Sequence, residues 1–478
     1  MTVFDYFYIG GRRVPPTSDE IIQVVSPHSE QIVAAVPAAS NTDVDLAVDA
    51  ANAAMASDQW GALPVAARLS IVRRFAAEYE KLAPDLAAAM TEEMGCPVSV
   101  VRALHVDPAV RALRYYIELA EQYAFEELRE GARSTLVLCR PVGVVAAVIP
   151  WNGPVFLTML KLAPALVSGC AMILKASPEA PLSSYVLARA AEAAGLPDGV
   201  LNVLTADRAV SEYLVTHPGV QKVSFTGSTS AGQRVAELCG KQLKRFNLEL
   251  GGKSAAIVLD DADLAATAQT LRMASFANSG QVCTARTRIL APWSRYDEVV
   301  TAVAEMAKTL RVGDPADPAT ELGPLVSRRQ QETVLEYIRI GGEEGARIVT
   351  GGSPPAGAVR GYYVQPTVFA DVKNSMRIAR EEIFGPVVCV IGYEDEDEAV
   401  RIANDSPLGL SGSVFTSDIE RGLRLARRIQ SGTFGINTFG NDIRAPFGGV
   451  KLSGVGREMG PEGLEDYFEY RSILLPPT

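Results

Sequence analysis

The sequence predicts an α/β fold in which mostly parallel sheets are covered by helices. Three observations predict it. From residue 134 onward, short apolar runs alternate with stretches of helical apolar spacing. The runs are apolar throughout rather than alternating, as in strands buried on both faces. At 478 residues the chain exceeds one ordinary core, so two or three domains are expected.

In order along the chain, residues 1–60 read as short strands followed by a helix. Asn41-Thr42-Asp43 is a helix start, and residues 44–56 are alanine-rich with apolar spacing. Residues 64–94 and 98–123 predict two long helices, parted by Gly95-Cys96-Pro97. Strands follow at 134–138 and 142–149. Helices at 154–168, 181–194, 209–216 and 229–239 then alternate with strands at 171–175, 200–204, 220–225 and 245–250. This is a Rossmann-type layout. Past Gly251-Gly252 a second α/β series begins: strand 255–259, helix 264–277, strand 288–291 and helix 297–310, later strand 387–393 and helix 396–404. Residues 351–361 predict a Gly/Pro-rich surface loop. Residues 446–457 are too glycine-dense for a regular element.

Composition narrows the function. Hydrophobic residues make up 48% and charged residues 21%, the balance of a soluble globular protein. A net charge of −11 argues against a nucleic-acid partner, which needs a basic face. It leaves room for an anionic cofactor held by backbone N–H groups. Six scattered cysteines form no Cys-x-x-Cys pair, and His28, His105 and His217 lie far apart, so no metal site is expected. A reducing, cytoplasmic setting fits such cysteine usage, and the first residues do not read as a signal peptide. Residues 141–160 carry no charge. Pro141, Pro150, Asn152 and Pro154 interrupt them, so a strand, a turn and a helix are expected rather than a membrane span.

The chemistry centres on residues 277–287, Ala-Asn-Ser-Gly-Gln-Val-Cys-Thr-Ala-Arg-Thr. Small and polar neighbours leave Cys283 able to meet a carbonyl. By itself a lone cysteine is more often a small buried hydrophobe. Upstream, Leu248-Glu249-Leu250-Gly251-Gly252-Lys253 sets a carboxylate at the end of an apolar run.

These two blocks belong to a longer series: Pro150-Trp151-Asn152, residues 161–166 (Lys-Leu-Ala-Pro-Ala-Leu), Phe225-Thr226-Gly227-Ser228, residues 248–253, Gly280-Gln281-Val282-Cys283, residues 381–387 (Glu-Glu-Ile-Phe-Gly-Pro-Val) and Pro446-Phe447-Gly448-Gly449. With these in order, the chain resembles the aldehyde dehydrogenase superfamily over nearly its whole length. The resemblance implies an NAD(P)-dependent oxidation of an aldehyde to its acid. Cys283 is then the nucleophile, and Asn152 an oxyanion donor together with the Cys283 N–H. Glu249 is the base that directs water onto a thioester, and Lys161 and Glu469 form a proton-relay pair beside it. The ordinary alternatives are a turn asparagine, a rim carboxylate and two surface charges.

The resemblance places the cofactor along Ile149, Pro150, Trp151, Lys175, Glu179, Gly227, Ser228, Gly232, Leu250, Gly251, Glu382 and Phe384. Residues 227–232 open a helix whose N-terminus can face a pyrophosphate, although their spacing is not G-x-G-x-x-G. Lys175 and Glu382 would hold the two riboses. The family often has Lys-x-x-Glu where this chain has Lys175-Ala176-Ser177-Pro178-Glu179, so the acid comes one residue late. NAD is expected, with NADP the alternative. Gly153 and Leu160 stand where several relatives have bulky aromatics, which suggests a wider apolar tunnel and a medium-sized hydrophobic aldehyde. Arg444 could instead meet an acidic substrate; a solvated loop arginine is the plainer reading.

The expected division is a cofactor-binding domain (1–123 and 142–251), a catalytic domain (252–464) and a β oligomerisation extension (124–141 and 465–478) suited to a homodimer or homotetramer. Three rivals stand beside this reading. One is a CoA-acylating semialdehyde dehydrogenase, against which Glu249 speaks. Another is a non-catalytic cofactor-binding protein of the same fold, against which the Cys283, Glu249 and Asn152 set speaks. The third is a thiol acyltransferase or esterase, which would need no nicotinamide.

Overall fold

Two twisted sheets organise the computed structural model, which describes residues 1–357 and 360–476. The first has eight strands. Its parallel centre runs Arg245–Glu249, Lys222–Thr226, Val144–Val148, Ala171–Ala176, Leu201–Thr205. Val144–Val148 comes first in the chain. The next two strands add on one side of it and the last two on the other. The strand order therefore reverses between Val144–Val148 and Lys222–Thr226, and a crevice opens there at the carboxyl ends. The three inner strands are buried along their whole length because helices cover both faces.

The second sheet has seven strands in the order Arg347–Thr350, Thr367–Ala370, Val387–Tyr393, Arg286–Pro292, Ser254–Val258, Gly412–Phe415, Gly435–Ile436. All its pairs are parallel except the first. A smaller antiparallel sheet joins Phe468–Leu474, Thr135–Pro141 and Glu126–Arg129. The strands expected in the extension thus form, and they pair with each other inside the chain.

The residues 141–160 make strand Val144–Val148, a turn and the start of helix Pro154–Ser168, as expected. No described helix is long and apolar enough to cross a membrane. Two expected helices prove to be interrupted, each next to a proline. Residues 64–94 divide at Leu82 into Val65–Lys81 and Ala83–Met94, because Pro84 fits the first turn of a new helix better than the middle of an old one. Residues 98–123 contain a π-turn at Arg102–Val106, where Asp107 N–H donates to Arg102 O. Pro108 follows. It has no N–H for the Leu104 carbonyl, and its ring would crowd that carbonyl in a regular helix.

Helix Arg328–Glu343 and strands Thr367–Ala370 and Gly412–Phe415 were not legible in the sequence. The helix buries only Val334, Ile338 and Gly341, too thin an apolar stripe to stand out. The expected loop at 351–361 falls partly outside the described residues. The glycine-dense stretch makes two short strands, Val450–Lys451 and Gly454–Val455. Gly454–Val455 pairs antiparallel with Leu248 and Glu249 at the edge of the first sheet.

Candidate active site

The residues singled out in the sequence converge on the carboxyl ends of the first sheet. Strand Val144–Val148 delivers Ile149, Pro150, Trp151 and Asn152, and Lys222–Thr226 delivers Gly227 and Ser228. Arg245–Glu249 ends on Glu249 itself, followed by Leu250 and Gly251. From the second sheet's side come Cys283, Glu382 and Phe384. A cavity of 480 Å³ is lined by Pro150, Trp151, Asn152, Glu249, Cys283 and Glu382, with Glu179, Gly227, Ser228, Leu250, Gly251 and Phe384 also on its wall.

The loop carrying Cys283 is held in an unusual backbone shape. Asn278, Ser279 and Gly280 have φ of 51°, 57° and 72° in succession, a conformation that non-glycine residues adopt only when their surroundings impose it. The surroundings do so here. Ser279 Oγ donates to Gly323 O at 2.7 Å. The buried Gln281 side chain donates to Asn278 O at 3.1 Å and accepts from Val326 N–H at 2.9 Å. Beyond the thiol, Arg286 is buried and donates to Thr284 O at 2.7 Å, Gly412 O at 3.1 Å and Ser413 Oγ at 3.1 Å. The loop is therefore pinned on both sides of Cys283.

Asn152 is tied to the same loop. Its side-chain nitrogen donates to Gln281 O at 3.1 Å, and its carbonyl accepts from Asn278 Nδ2 at 3.0 Å. The sequence assigned no role to Asn278, Gln281 or Arg286, although all three stand in the stretch around Cys283. Polar residues clustered around a nucleophile are also ordinary loop composition.

Cys283 is half-buried. Burial pushes its thiol up to about 12, with the nearby carboxylates Glu382 and Glu249 adding to the shift. Glu249 is 3% exposed, and neither carboxylate oxygen has a hydrogen-bond partner. Burial raises its pKa well above the usual range. Glu458 raises it further, while Lys161 and Arg457 pull the other way. Gly448 belongs to this arrangement. Its φ is +157°, and a Cβ there would lie 2.8 Å from Glu249 Oε1.

The relay expectation needs correction. Glu469 does not reach Lys161. It forms an exposed two-pronged ion pair with Arg245, at 2.8 and 2.7 Å. Arg245 starts the strand that Glu249 ends, about 13 Å away by strand rise. The buried partner of Lys161 is Glu458, and Lys161 also donates to Thr226 Oγ1 at 2.7 Å. Reciprocal backbone bonds between Phe447 and Glu458 hold that acid in place. Its closeness to the Pro446-Phe447-Gly448-Gly449 block was the available signal.

Glu382 accepts from Gly252 N–H at 3.1 Å, and burial raises it to about 7. Phe384, at φ 58°, meets Trp151 edge to face with ring centres 5.3 Å apart. Gln330 Nε2 donates to the Phe384 carbonyl at 2.8 Å. Lys175 is buried and lowered to about 8 by burial, against the pull of Glu179 and Asp207. Glu179 is exposed and accepts from Ser177 Oγ.

Ser228 caps helix Thr229–Gly240, accepting from Ala231 N–H at 3.3 Å. A Cβ on Gly232 would fall 2.6 Å from Leu250 Cδ1, so glycine lets this helix pack close to the strand end. A second cavity of 310 Å³ adjoins at Ser228, lined by Arg208, Glu212, Phe225, Ala231 and Arg234 among others. The sequence reading missed its two arginines, since neither lies in a motif. Leu160 does not border the substrate side: it is 1% exposed, in the core of the first sheet. Arg444 is exposed on a loop, with its N–H bonded to Asp442 at 3.0 Å.

Residues 14–473 match the model of the aldehyde dehydrogenase family. Geranial dehydrogenase of Castellaniella defragrans is 49% identical over 472 residues, covering 98% of both chains. A 3-succinoylsemialdehyde-pyridine dehydrogenase of a Pseudomonas species is 41% identical over 470 residues, again covering 98% of both. Among solved structures, an aldehyde dehydrogenase of Mycobacterium tuberculosis complexed with NAD+ superposes with a TM-score of 0.97 at 42% identity, covering 99% of each chain. A mutant of aldehyde dehydrogenase C from Pseudomonas syringae, in complex with NAD+ and octanal, gives 0.95 at 40%, covering 98% of this chain and 96% of that one.

Proposed function

The chain belongs to the aldehyde dehydrogenase family, and on that premise we propose that it oxidises a medium-sized hydrophobic aldehyde to its carboxylic acid with NAD+ as the oxidant, Cys283 carrying the substrate as a thioester. The observation that carries this reading is the shared cavity. It brings the thiol, the Asn152 amide and the unpartnered Glu249 carboxyl into one space.

The Cys283 sulfur adds to the aldehyde carbon, and its proton leaves to a neighbouring base. Negative charge moves to the carbonyl oxygen, where Asn152 Nδ2 donates to it. Asn152 needs no rearrangement of the loop for this, since the loop's own bonds already hold it beside Cys283. Bound NAD+ supplies the acceptor for the hydride that leaves this carbon. Glu249 then removes a proton from water, water adds to the thioester carbon, and the thiolate leaves with the acid as product. A raised carboxyl pKa suits that step because a more basic carboxylate takes a proton from water more readily. The proton taken up by Glu249 can pass toward Glu458 and Lys161.

The residues present fit a dinucleotide. Glu382, fixed by Gly252 N–H, and Lys175 would hold the riboses, and the capped N-terminus of helix Thr229–Gly240 would take the anionic link. Gly227, Ser228, Gly232, Leu250 and Gly251 would let the backbone come close, and Ile149, Pro150, Trp151 and Phe384 would flank the group. Glu179 acts electrostatically on Lys175 although it comes one residue late. Its charge opposes a 2′-phosphate and favours NAD+ over NADP+.

A hydrophobic substrate is supported by relatives named for geranial and seen with octanal, and by the absence of a side chain at Gly153. The strand Glu126–Arg129 is exposed at all four residues and supports assembly into a homo-oligomer. All six cysteines are free, which supports a reducing, cytoplasmic setting. The test is purified protein with an aldehyde panel and either NAD+ or NADP+. Acid should form with cofactor reduction, fastest for hydrophobic aldehydes with NAD+. A Cys283→Ala protein that kept full turnover would sink the mechanism.

A further inference from the structure

One face of strands Lys222–Thr226 and Arg245–Glu249 departs from the pattern of the neighbouring strand Val144–Val148, which is apolar throughout, as burial on both faces requires. In these two strands every second residue is polar. The register sets them side by side: Thr226 beside Glu249, Ser224 beside Asn247, and Lys222 beside Arg245. Residues two apart share a face, so the three pairs form a ladder of polar rungs about 13 Å long by strand rise. All of them except Arg245 are buried. The two ends of the ladder open on different cavities. Thr226 and Glu249 line the one that holds Cys283. Lys222 and Arg245 line another of 480 Å³ at the amino end of the strands, together with Asp466.

Polar groups from outside the sheet cover the ladder. Over the upper rungs, Lys161 donates to Thr226 Oγ1 at 2.7 Å and pairs with Glu458, and Asn247 Nδ2 donates to Glu458 Oε1 at 3.4 Å. Over the lower rungs, Lys222 Nζ lies 5.1 Å from the centre of the Tyr467 ring and 3.8 Å from Asp466 Oδ2. Tyr467 also neighbours Ser224 and Glu458, so it joins the two halves. Along this line both Glu249 oxygens, Glu458 Oε2, Asn247 Oδ1, Ser224 Oγ and Asp466 Oδ2 are buried without a hydrogen-bond partner in the protein. Water bridging neighbouring groups is the usual partner of such atoms.

We propose that this ladder is the way out for the proton that Glu249 takes from water, and that Asp466 hands it to solvent in the second cavity. The O–H bond on Glu249 breaks as one forms on the Glu458 carboxylate. From Glu458 the proton crosses bridging water, Ser224 and the Tyr467 hydroxyl to the Asp466 carboxylate, and from there reaches bulk water or a dissolved base. Glu249 returns to the carboxylate form, and one proton leaves for each thioester hydrolysed. Lys161 and Lys222 keep their protons throughout and attract the acids beside them. Asp466 touches neither substrate nor cofactor and acts only through Glu249. Such an exit stays open while cofactor and substrate fill the crevice at the other end of the strands.

This inference rests on the reading of Glu249 as the hydrolytic base, and its test separates the two. The whole enzyme is mixed with NAD+ and an aldehyde it oxidises, in dilute buffer at fixed pH and ionic strength. Stopped-flow traces give the first turnover of reduced cofactor and then the steady rate. Asp466→Asn should keep the first-turnover rate and lower the steady rate by about tenfold or more. Added imidazole, a small base able to enter the second cavity, should restore that steady rate without changing the parent's, and Asp466→Glu should retain it. A side chain that only supports the fold could not be replaced by a dissolved base. Glu465→Gln removes a charge from the same cavity but away from the ladder, and should behave as the parent. Should the asparagine variant fail to fold, Ser224→Ala supplies the second probe: it removes the hydroxyl of the middle rung and should slow the steady rate alone. Parent rates in these variants, an Asp466→Asn loss that imidazole does not reverse, or an equal loss in Glu465→Gln overturns the exit while leaving Glu249 as the base. A parent that reduces no cofactor with any aldehyde overturns the reaction, and this inference with it.

Discussion

Glu249 and Glu382 line one cavity from opposite sides, and both are buried carboxylates. Glu382 comes from the second sheet's side and accepts a hydrogen bond from Gly252 N–H; burial raises its pKa to about 7. Glu249 ends a strand of the first sheet, has no partner on either oxygen, and is raised well above the usual carboxyl range by burial and by Glu458. The same residue type is thus prepared for two tasks. A carboxylate with a donor already in place is oriented and stays where it is, as a holding group must. A carboxylate without one gains most from taking a proton, as a base must.

The largest expected effect removes what both walls converge on. Cys283→Ala should lower aldehyde-dependent cofactor reduction by at least ~10⁴-fold. NAD+ binding, read by fluorescence titration, should remain because neither carboxylate is touched. Next, Glu249→Gln should slow acid release by ~10²- to 10⁴-fold. A rapid first turnover of reduced cofactor should survive it in stopped-flow traces. Loss of that burst together with the steady rate would erase the contrast between the two walls.

Glu382→Gln should act on the other side of the comparison. It weakens NAD+ binding by about ten- to a hundredfold, with a smaller change in the rate at saturation. Between the two candidate relay acids, Glu458→Gln should lower turnover because Lys161 loses its buried partner. Glu469→Gln breaks only an exposed pair with Arg245 and should leave turnover near the parent's.

The smallest effect concerns stability. The folded protein holds a proton on Glu249 at pH values where the unfolded chain has released it. Stability from this group is therefore greatest below the unfolded pKa and falls as pH rises toward the raised folded value. Glu249→Gln should stabilise the fold more at pH 8 than at pH 5, by a difference on the order of 1 kcal/mol read from melting curves at the two pH values. An equal shift at both pH values would mean that Glu249 carries no such penalty.

Local pattern made the strands and helices of the first sheet readable because burial on both faces leaves continuous apolar runs, and residues 142–149, 171–175 and 220–225 differ from the observed strands by only a residue or two. Long helices were readable in extent but not in continuity. Pro84 and Pro108 gave the signal for both interruptions, yet only backbone geometry distinguishes a break from a π-turn. Helix Arg328–Glu343 stayed hidden because most of its faces meet solvent.

By itself the sequence determined the chemical inventory: a thiol among small residues, a carboxylate ending an apolar strand, and glycines where the backbone must come close. Those features are local, since each follows from a few adjacent residues. Only the tertiary structure decided which charges meet. Lys161 pairs with Glu458 rather than Glu469 because Phe447 and the edge strand Gly454–Val455 bring residue 458 to the carboxyl end of the sheet, while Glu469 is carried to the other end beside Arg245. Pairing of distant charges depends on the path the chain takes between them, and that path is settled by sheet register and burial, which no local run of residues encodes.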